Sequence, residues 1–473
     1  MIVLALESST SSAKALLYDS QKGTIGLEAC AYPPEICGGG RIDTEAVFRL
    51  TAQMGRRLAE RHAIEAIALC GIWHSVALCD GAMRPAGGTY AWHYMAPGAY
   101  CRSIRKNEAL TGTLYSRTGC MPHVTYPRDM LSFMHAQGAD LSNKKLPSQG
   151  AYNFYRLTGE FWESACTMSG SGLLNIHTLA YDECALDYAG IRESQLGSLA
   201  RSPQAAPITA AGAALLGVGA NTPVVSAHAD GALNQIAAGA AAVGRMTLSV
   251  GTSGAIRLTA DRPVLPDCRQ LWCYYGAMDW MSGAAVAGAA NCVDWFHDKV
   301  MGKRVSLEEL EASPLAPEPP VFLPFLFGER CPNWQDERLG GFCGVRPEHT
   351  AADLYFALQA GVLFNLYQCY EALRASAGVP QSIHASGGIL HSKRWTQMAA
   401  DIFGMPLRCS RNLNASSLGA AALALHAAGG LRDLRAFDGT GEEHIAAPDP
   451  EAARRYRVLY ERYLYYYGKT AET

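Results

Sequence analysis

Residues 2–18 read IVLALESSTSSAKALLY, an apolar run, a turn of small polar residues and a second apolar run. Short apolar runs of this length are typical of buried strands, and Ser and Thr favour tight turns. The segment therefore predicts a β-hairpin whose turn, ESSTSSAK at residues 7–14, presents backbone amides and hydroxyls. Such a turn can bind an anion, and an ordinary β-turn is the commoner alternative for the same residues.

A second hairpin of the same kind lies far along the chain. Residues 245–259 read RMTLSVGTSGAIRLT, two apolar runs around a small-residue turn. A helical pattern follows each hairpin, at 43–62 in the first half, with Thr44 as the expected N-cap, and at 351–378 in the second. Because strands, helix and strand recur in the same order, the sequence predicts a duplicated α/β domain with its boundary near residue 240.

Two further positions carry candidate chemistry. Asp230 stands between an apolar run at 223–226 and a helix-like run at 232–241. A carboxylate there either caps the helix or acts as a general base toward a hydroxyl, and both interpretations stay open. Gly387 and Gly388 end a predicted strand and would let a flat ligand such as a nucleotide base approach the backbone.

Composition narrows the class of protein. The 473 residues are 49% hydrophobic and 18% charged, and the net charge of −3 gives no electrostatic reason to expect nucleic acid or an anionic membrane as partner. The fifteen cysteines contain no Cys-x-x-Cys pair, which favours buried free thiols over a zinc site or a disulfide framework. No signal-like segment or spanning apolar run stands out, so we expect a cytoplasmic protein.

Taken in order, these segments resemble the FGGY carbohydrate kinase family within the actin/hexokinase/Hsp70-like superfamily, closest to its gluconate kinase and xylulose kinase branches. The stretches that carry the resemblance are GIWHSVALCD, AHADGALNQIAAGA, LSVGTSGAIRL, FLPFLFGERCPNW, ASGGILHSKRWTQMAADIFGMPL and ASSLGAAALAL, together with the first hairpin. The match runs over nearly the whole chain.

The resemblance implies two actin/RNase-H-like α/β domains, each a mixed sheet flanked by helices. Residues 1–240 would hold the sugar site, the first phosphate hairpin and the catalytic Asp. Residues 241–473 would hold the second phosphate hairpin and the adenosine motif. ATP and sugar would meet in the cleft between the domains.

The same resemblance assigns roles to individual residues. Asp230 would be the catalytic base and part of the substrate site. The ATP phosphates would be bound by Ser9, Thr10, Ser11, Ser12, Lys14, Gly251, Thr252 and Ser253. Adenosine would lie against Gly387, Gly388, Ser392 and Asn291. The substrate would contact His74, Trp92, His93 and Tyr94, and Glu7 would bind Mg²⁺.

Three departures from the family pattern affect the site. Glu7 stands where the family usually has Asp, and Ser9 where it has Gly. The Trp-Ala-Asp segment of the sugar site is replaced here by Trp92, His93 and Tyr94, so a substrate-binding carboxylate is missing. Losing an acid that accepts sugar hydroxyls should change specificity strongly. His93 and Tyr94 would suit donation to a substrate carboxylate.

The function implied is ATP-dependent phosphorylation of a hydroxyl of a sugar, sugar acid or polyol, with gluconate ahead of xylulose as acceptor. A nucleotide-binding sensor or regulator with degraded kinase chemistry is the alternative, motivated by the three departures. An actin- or Hsp70-like ATPase is disfavoured because the chain carries the sugar-kinase signature segment. ATP and Mg²⁺ are the expected cofactors, a small carbohydrate is the expected partner, and a homodimer is compatible with the resemblance.

Overall fold

The computed structural model of the chain describes residues 1–410, 414–441 and 443–470. In chain order its helices are α1 (Thr44–Ala59), α2 (Gly98–Arg105), α3 (Glu108–Thr118), α4 (Pro127–Ala136), α5 (Gln149–Thr158), α6 (Ala165–Ser169), α7 (Glu183–Ala189), α8 (Ala210–Leu216), α9 (Asp230–Ala237), α10 (Ala290–Trp295), α11 (Leu307–Ala312), α12 (Ala351–Ala377), α13 (Lys393–Phe403), α14 (Ala415–Ala427) and α15 (Pro450–Lys469).

The strands, again in chain order, are β1 (Ile2–Ser8), β2 (Ser12–Asp19), β3 (Gly23–Ala31), β4 (Cys37–Gly38), β5 (Arg41–Ile42), β6 (Ala66–Gly71), β7 (Ser75–Cys79), β8 (Pro85–Ala91), β9 (Trp162–Ser164), β10 (Leu174–Asn175), β11 (Ala180–Tyr181), β12 (Ser198–Ala200), β13 (Ala205–Pro207), β14 (Pro223–Ala229), β15 (Arg245–Val250), β16 (Gly254–Ala260), β17 (Trp272–Tyr275), β18 (Trp280–Val286), β19 (Val321–Leu323), β20 (Gly341–Cys343), β21 (Ser382–Ser386), β22 (Leu407–Ser410) and β23 (Glu443–Ala446).

Six strands form the first large sheet, in the order β13-β14-β6-β1-β2-β3. The predicted hairpin is present, since β1 and β2 are antiparallel with Glu7 opposite Lys14. Strand β6 runs parallel to β1, and β14 runs parallel to β6. The carboxyl ends of three adjacent strands therefore meet at one edge of the sheet, which is where open α/β sheets bind their ligands.

Seven strands form the second large sheet, in the order β17-β18-β16-β15-β21-β22-β23. Its hairpin, β15 and β16, is likewise followed by two strands parallel to β15, namely β21 and β22. The same order of hairpin and parallel strands thus occurs twice, as the recurring sequence pattern predicts. Smaller sheets, including β4-β5-β8-β7, extend the first half beyond this common framework.

Helices cover both faces of the first sheet. One face packs against α1, α5 and α8, and the core between them includes Leu4, Val47 and Phe154. The other face packs against α9 and α14, around Val3 and Leu233. Burial of these apolar faces from water is the main force that holds the layers together.

Helix α9 lies between the two sheets. Its apolar residues Leu233 and Ile236 belong to the core of the first sheet, whereas its buried Gln235 reaches the second. The Gln235 amide accepts from Thr247 Oγ1 at 2.7 Å and donates to Thr259 Oγ1 at 3.1 Å. The helix that begins at Asp230 is therefore fixed against both halves of the molecule.

Helix α14 reaches the first sheet from the far end of the chain. It packs on β1, β6 and α9, although the strands next to it in sequence belong to the second sheet. Gly419 permits this packing, because a Cβ there would lie 2.0 Å from the Leu233 carbonyl oxygen. The packing unit built on the first sheet therefore includes residues beyond position 240, and the boundary itself stays a prediction.

Local details differ from the sequence-based expectation at α1. The helix covers Thr44–Ala59, and Asp43, not Thr44, is its N-cap: the Asp43 side chain accepts from the amides of Glu45 and Ala46.

Among the described residues, no helix is both long enough and apolar enough to cross a bilayer. The fifteen cysteines, all of them within the described ranges, are not joined in disulfides, and most are buried, as predicted.

Candidate active site

The carboxyl ends of β1, β6 and β14 bring the first candidate residues together. Cys70 on β6 pairs with Glu7 on one side and with His228 on the other. Asp230 follows directly after β14, and His74 follows β6 by three residues. A single edge of the first sheet thus gathers side chains that are distant in sequence.

Asp230 occupies an environment that favours a neutral carboxyl group. Its pKa is raised to about 6: burial is the largest cause and the nearby charge of Glu7 also raises the pKa, whereas the Gly231 amide and the Arg257 guanidinium lower it. The Gly231 N–H lies 2.7 Å from Asp230 Oδ1. A carboxylate with a raised pKa in a cleft has the properties of a general base that works near neutral pH.

The capping interpretation of Asp230 is not supported by the helix geometry. Helix α9 begins at Asp230 itself, its N-cap residue is Ala229, and no side-chain capping hydrogen bond is made there. Asp230 is therefore the first residue of the helix and not its N-cap, and the helix N-terminus favours its negative charge.

His74 is held as a neutral imidazole. Its Nδ1 lies 2.6 Å from the Gly170 carbonyl oxygen, so Nδ1 carries the proton and Nε2 is an acceptor. Burial and the charge of Arg330 lower the pKa of His74 to about 3. The ring stacks on Trp73 and meets Tyr126 and Tyr274 edge-on, which fixes its plane. A fixed, neutral acceptor is suited to hydrogen bonding with a substrate hydroxyl.

The turn of the first hairpin is closed by Ser9. The Ser9 hydroxyl donates to the Ser12 carbonyl at 2.9 Å, and the Ser9 Oγ accepts from the Ser12 amide at 3.1 Å. The Ser11 amide is a more distant donor to Ser9 Oγ, at 3.4 Å. With Ser where the family usually has Gly, the turn satisfies an amide internally that would otherwise be free for an anion. The hydroxyl of Ser11 lies at the exposed tip.

The turn of the second hairpin is joined to helix α10. The Gly251 carbonyl accepts from the Ala290 amide at 2.9 Å, and the Thr252 carbonyl accepts from the Asn291 amide at 3.2 Å. Thr252 and Ser253 are exposed. The Asn291 side chain accepts from Ala289 N and donates to Ala287 O, so it braces the start of α10 against the turn.

Glu7 is buried and its two carboxylate oxygens are both held by the chain. Oε1 accepts from Lys14 Nζ at 3.2 Å, and Oε2 accepts from Ser416 Oγ at 2.9 Å and from the hydroxyl of Ser417. Direct coordination of Mg²⁺ by Glu7 would require these contacts to open, so this donor set does not fit an inner-sphere metal ligand. Among the described residues, no group of three or more acidic, His or Cys side chains forms a metal-binding cluster.

The glycine pair after β21 approaches the second hairpin. Gly387 has φ +94°, and a Cβ there would lie 2.6 Å from the Val250 carbonyl oxygen. Glycine at position 387 thus allows the backbone of this loop to lie close to the end of β15. Ser392 caps α13 by accepting from the Trp395 amide, and it donates to Glu311 at 2.6 Å. The approach of Gly387 to β15 and the contacts of Ser392 fix the loop between β21 and α13, where adenosine is predicted to bind.

The segment after β8 divides between the cleft and the core. The Trp92 indole N–H donates to Thr10 Oγ1 at 3.1 Å, which joins this segment to the first hairpin turn. His93 is half-buried, and its Nδ1 is enclosed without a hydrogen-bond partner. Tyr94 packs edge-on against Tyr90 at a centroid distance of 4.9 Å.

Sequence reasoning missed two arginines that line the same site. Arg257 on β16 lies beside Asp230, since a Cβ on Gly231 would be 3.4 Å from Arg257 Nε. Arg330 lies next to the hydroxyls of Tyr126 and Tyr274, which are hydrogen-bonded to each other at 2.8 Å. Arg257 falls within a quoted hairpin stretch, and a charged residue inside an apolar strand was the signal that could have identified it.

Both halves of the chain match family models. Residues 2–237 match the N-terminal domain of the FGGY family of carbohydrate kinases, and residues 246–428 match its C-terminal domain.

Relatives of named activity align over most of the chain. The gluconokinase of Bacillus licheniformis is 28% identical over 488 residues, covering 97% of this chain and 94% of that protein. The xylulose kinase of Escherichia coli strain K12 is 25% identical and covers 77% of each. Among solved structures, the gluconate kinase from Lactobacillus acidophilus has a TM-score of 0.93 at 24% identity, over 99% of this chain and 98% of that one, which shows a common fold.

Proposed function

The chain belongs to the FGGY family of carbohydrate kinases, and from that premise we propose that Asp230 is its catalytic base and that a sugar acid of the gluconate type is its acceptor. Phosphorylation of a sugar or sugar-acid hydroxyl, with ATP as co-substrate, is the activity of a kinase of this family. The observation that carries the proposal is the position of Asp230. It follows the carboxyl end of β14, it is not the N-cap of α9, and its pKa is raised to about 6.

In the proposed reaction, Asp230 takes the proton of the acceptor hydroxyl while the oxygen of that hydroxyl attacks the terminal phosphorus of ATP. The bond between that phosphorus and the oxygen bridging to the β-phosphate breaks, ADP leaves, and the proton passes from Asp230 to solvent. Because the transition state is loose, the protein contributes mainly position and charge. His74 Nε2 would orient the acceptor by accepting from a second hydroxyl.

The two hairpins are proposed to hold the phosphates of ATP. The exposed turn residues Thr252 and Ser253 offer hydroxyls and amides, and Lys14 adds a positive charge behind the first turn. Adenosine would lie near Gly387 and Gly388. Mg²⁺, which accompanies ATP in phosphoryl transfer, would neutralise part of the phosphate charge when bound. The prediction that Glu7 binds the metal directly would require the contacts of Glu7 with Lys14, Ser416 and Ser417 to open.

Gluconate is preferred to xylulose because the gluconokinases are 28% and 27% identical over 97% of the chain, whereas xylulose kinases that align over 99% and 100% of the chain are 24% and 23% identical. No observation favours the alternative of a nucleotide-binding sensor. We also propose a cytoplasmic location, where ATP is supplied and where free thiols persist. The homodimer stays a prediction.

The test is a coupled ADP-release assay with Mg-ATP, run over sugar acids, ketoses and polyols. We expect turnover with gluconate or a close relative, and a loss of about 10³-fold or more in kcat for Asp230→Asn with ATP binding retained. Substrate-dependent turnover that survives in Asp230→Asn would remove Asp230 as the base. Silence over the whole panel, with ATP bound, would favour the sensor.

A further inference from the structure

The indole ring of Trp73 fills the space between two glycines of the site. A Cβ on Gly170 would lie 2.2 Å from the Cδ1 and Nε1 atoms of that ring, and a Cβ on Gly231 would lie 2.6 Å from its Cζ3 atom. Neither glycine has a positive φ, and the two nearest atoms at each belong to this one side chain. The close contact with Trp73, rather than the backbone conformation, therefore accounts for glycine at both positions.

Each of these glycines also holds one of the two polar groups proposed to handle the acceptor. The Gly170 carbonyl accepts from His74 Nδ1 at 2.6 Å. The Gly231 amide donates to Asp230 Oδ1 at 2.7 Å. The Trp73 ring stacks on the imidazole as well, with centroids 5.9 Å apart and planes inclined by 9°. One side chain thus contacts the backbone that fixes the imidazole and the backbone that fixes the carboxyl group.

The ring of Trp73 is itself held on its other sides. Its Nε1 donates to the carbonyl of Cys166, in helix α6, at 3.0 Å. It packs against Tyr274 and Trp272 of strand β17, at centroid distances of 4.8 and 6.3 Å. Trp73 is only 5% exposed, so a large rigid ring is enclosed between elements of both halves of the chain and has little freedom to move.

We propose that Trp73 is a positioning residue that sets the spacing between Asp230 and the imidazole of His74 and thereby aligns the acceptor hydroxyl with the base. This role rests on the proposed kinase function. Catalytic groups must lie within about 0.5 Å of their productive positions for a transfer to be fast. A ring that fixes both groups through their glycines therefore acts on kcat, whereas the hairpin turns proposed to bind ATP lie outside its contacts given above.

The fit between the ring and Gly231 provides the main test. Gly231→Ala places a methyl group against the ring, and Trp73→Leu removes the ring atoms that the methyl group would meet. We expect each single variant to lower kcat about 30- to 100-fold, with KM for ATP changed by no more than about twofold. In the double variant leucine leaves room for the methyl group, so kcat should recover about tenfold relative to Gly231→Ala.

Two phenylalanine variants separate positioning from a general loss of stability. Trp73→Phe keeps an aromatic ring and should lower kcat about tenfold. The matched control is Trp280→Phe, because Trp280 also donates its indole N–H to a carbonyl, that of Ile176 at 2.8 Å, and packs edge-on against Tyr275. Both variants should unfold at lower denaturant concentration, but kcat should fall only in Trp73→Phe.

The pH profile gives a reading that a purely structural role would not change. In Trp73→Leu, water admitted beside Asp230 would lower the raised pKa of that carboxyl group. The acidic limb of kcat/KM should therefore move to lower pH by about one unit, while Trp280→Phe leaves it in place. Glu7 and Arg257, the charged groups that act on Asp230, are retained in both variants.

The imidazole can be followed without turnover. Nitrogen NMR of the histidine rings, assigned with His74→Gln, should show a neutral His74 protonated on Nδ1 at pH 7 in the unmutated protein. In Trp73→Leu we expect this ring to exchange between tautomers and its pKa to rise. Arg330, His123 and Arg257, whose charges also act on His74, are unchanged there.

Losses in kcat that simply multiply in the double variant would overturn the proposal, because ring and glycine would then act independently. An unmoved acidic limb together with an unchanged His74 spectrum in Trp73→Leu would overturn it as well. Absent turnover in the unmutated protein would instead remove the proposed function, and the His74 spectrum alone would then decide whether Trp73 fixes the imidazole. Should the double variant fail to fold, the comparison of Trp73→Phe with Trp280→Phe decides.

Discussion

The indole N–H of Trp92 donates to Oγ1 of Thr10 over 3.1 Å, and this bond joins the segment after β8 to the turn of the first hairpin. Trp92 is 43% exposed, so it is a wall of the cleft rather than part of the core. The residues proposed to bind acceptor and phosphate are thus linked directly.

Trp92→Phe should weaken ATP binding through this link. Phenylalanine keeps an aromatic wall but has no N–H donor, so the first turn loses a contact that orders it. We expect KM for ATP to rise about 3- to 10-fold with kcat nearly unchanged, since one hydrogen bond contributes about 1 kcal/mol. Initial rates at varied ATP measure this. Thr10→Val should reproduce the effect, and additive effects in the double variant would show that the two residues do not act through this bond.

Ser9→Gly should strengthen ATP binding. The Ser9 hydroxyl now occupies the Ser12 amide, and its removal frees that donor for a phosphate oxygen. The expected result is an ATP dissociation constant about 3- to 10-fold lower, at a small cost in stability because glycine adds backbone freedom. Isothermal titration with ATP gives the answer. Weaker binding in Ser9→Gly would mean that the hydroxyl itself contacts the nucleotide.

Asp230→Asn should stabilise the fold above pH 6 while it abolishes activity. The pKa of Asp230 is raised from its ordinary value near 4 to about 6, so ionisation disfavours the folded state. That cost is absent below pH 4, grows between pH 4 and 6, and is complete above pH 6. A shift of about two units corresponds to about 3 kcal/mol, which the neutral amide would avoid. Denaturant unfolding at pH 4.5 and pH 8 should show the gain mainly at pH 8.

The same raised pKa predicts the pH dependence of the kinase. Asp230 acts as a base only when ionised, so kcat/KM should fall about tenfold per unit below pH 6. Glu7→Gln removes a negative charge that raises the pKa of Asp230, and should move this acidic limb to lower pH. A limb that does not move would show that the Glu7 charge is screened from the base.

Glu7→Gln also tests the metal prediction. With both oxygens of Glu7 held by the chain, the main expected effect is lower stability, by about 2–4 kcal/mol, because Lys14 loses its buried partner. The Mg²⁺ concentration at half-maximal activity should change less than threefold. A rise of tenfold or more would restore Glu7 as a ligand of the metal.

Gly387→Ala should destabilise the second half of the molecule. The residue has φ +94°, and a Cβ would meet the Val250 carbonyl oxygen at 2.6 Å. We expect a loss of about 2–3 kcal/mol from backbone strain and the clash together. Gly404 is the matched control, since it has φ +65° with nothing within 4 Å of its Cβ position, and Gly404→Ala should cost only about 1 kcal/mol.

The sequence predicted the parts of the fold that depend on local pattern. Both hairpins, α12 and the order along the chain of hairpin, helix and further strand are confirmed, because alternation of apolar runs and small-residue turns is a short-range property. The family and the kinase activity implied by the resemblance are confirmed by the matched family models. The individual site residues stay predictions.

What the sequence did not predict depends on contacts between distant residues. Nothing near Arg257 or Arg330 in the chain indicates that their side chains converge on His74, since three separate elements must first be packed together. The hydrogen bonds that the Ser416 and Ser417 hydroxyls donate to Glu7 join residues from opposite ends of the chain. The helix cap was misplaced by one residue, because Asp43 and Thr44 are both good capping residues.

The packing of α14 on the first sheet has a consequence for synthesis of the protein on the ribosome. The strands β1, β6 and β14 emerge early, but the helix that covers their apolar face emerges only after nearly the whole chain has been translated. Until then, Val3, Ala5 and Leu233 lack a large part of their cover. The nascent first half should therefore stay a client of chaperones, and a fragment that ends near residue 240 should aggregate unless α14 is supplied in trans.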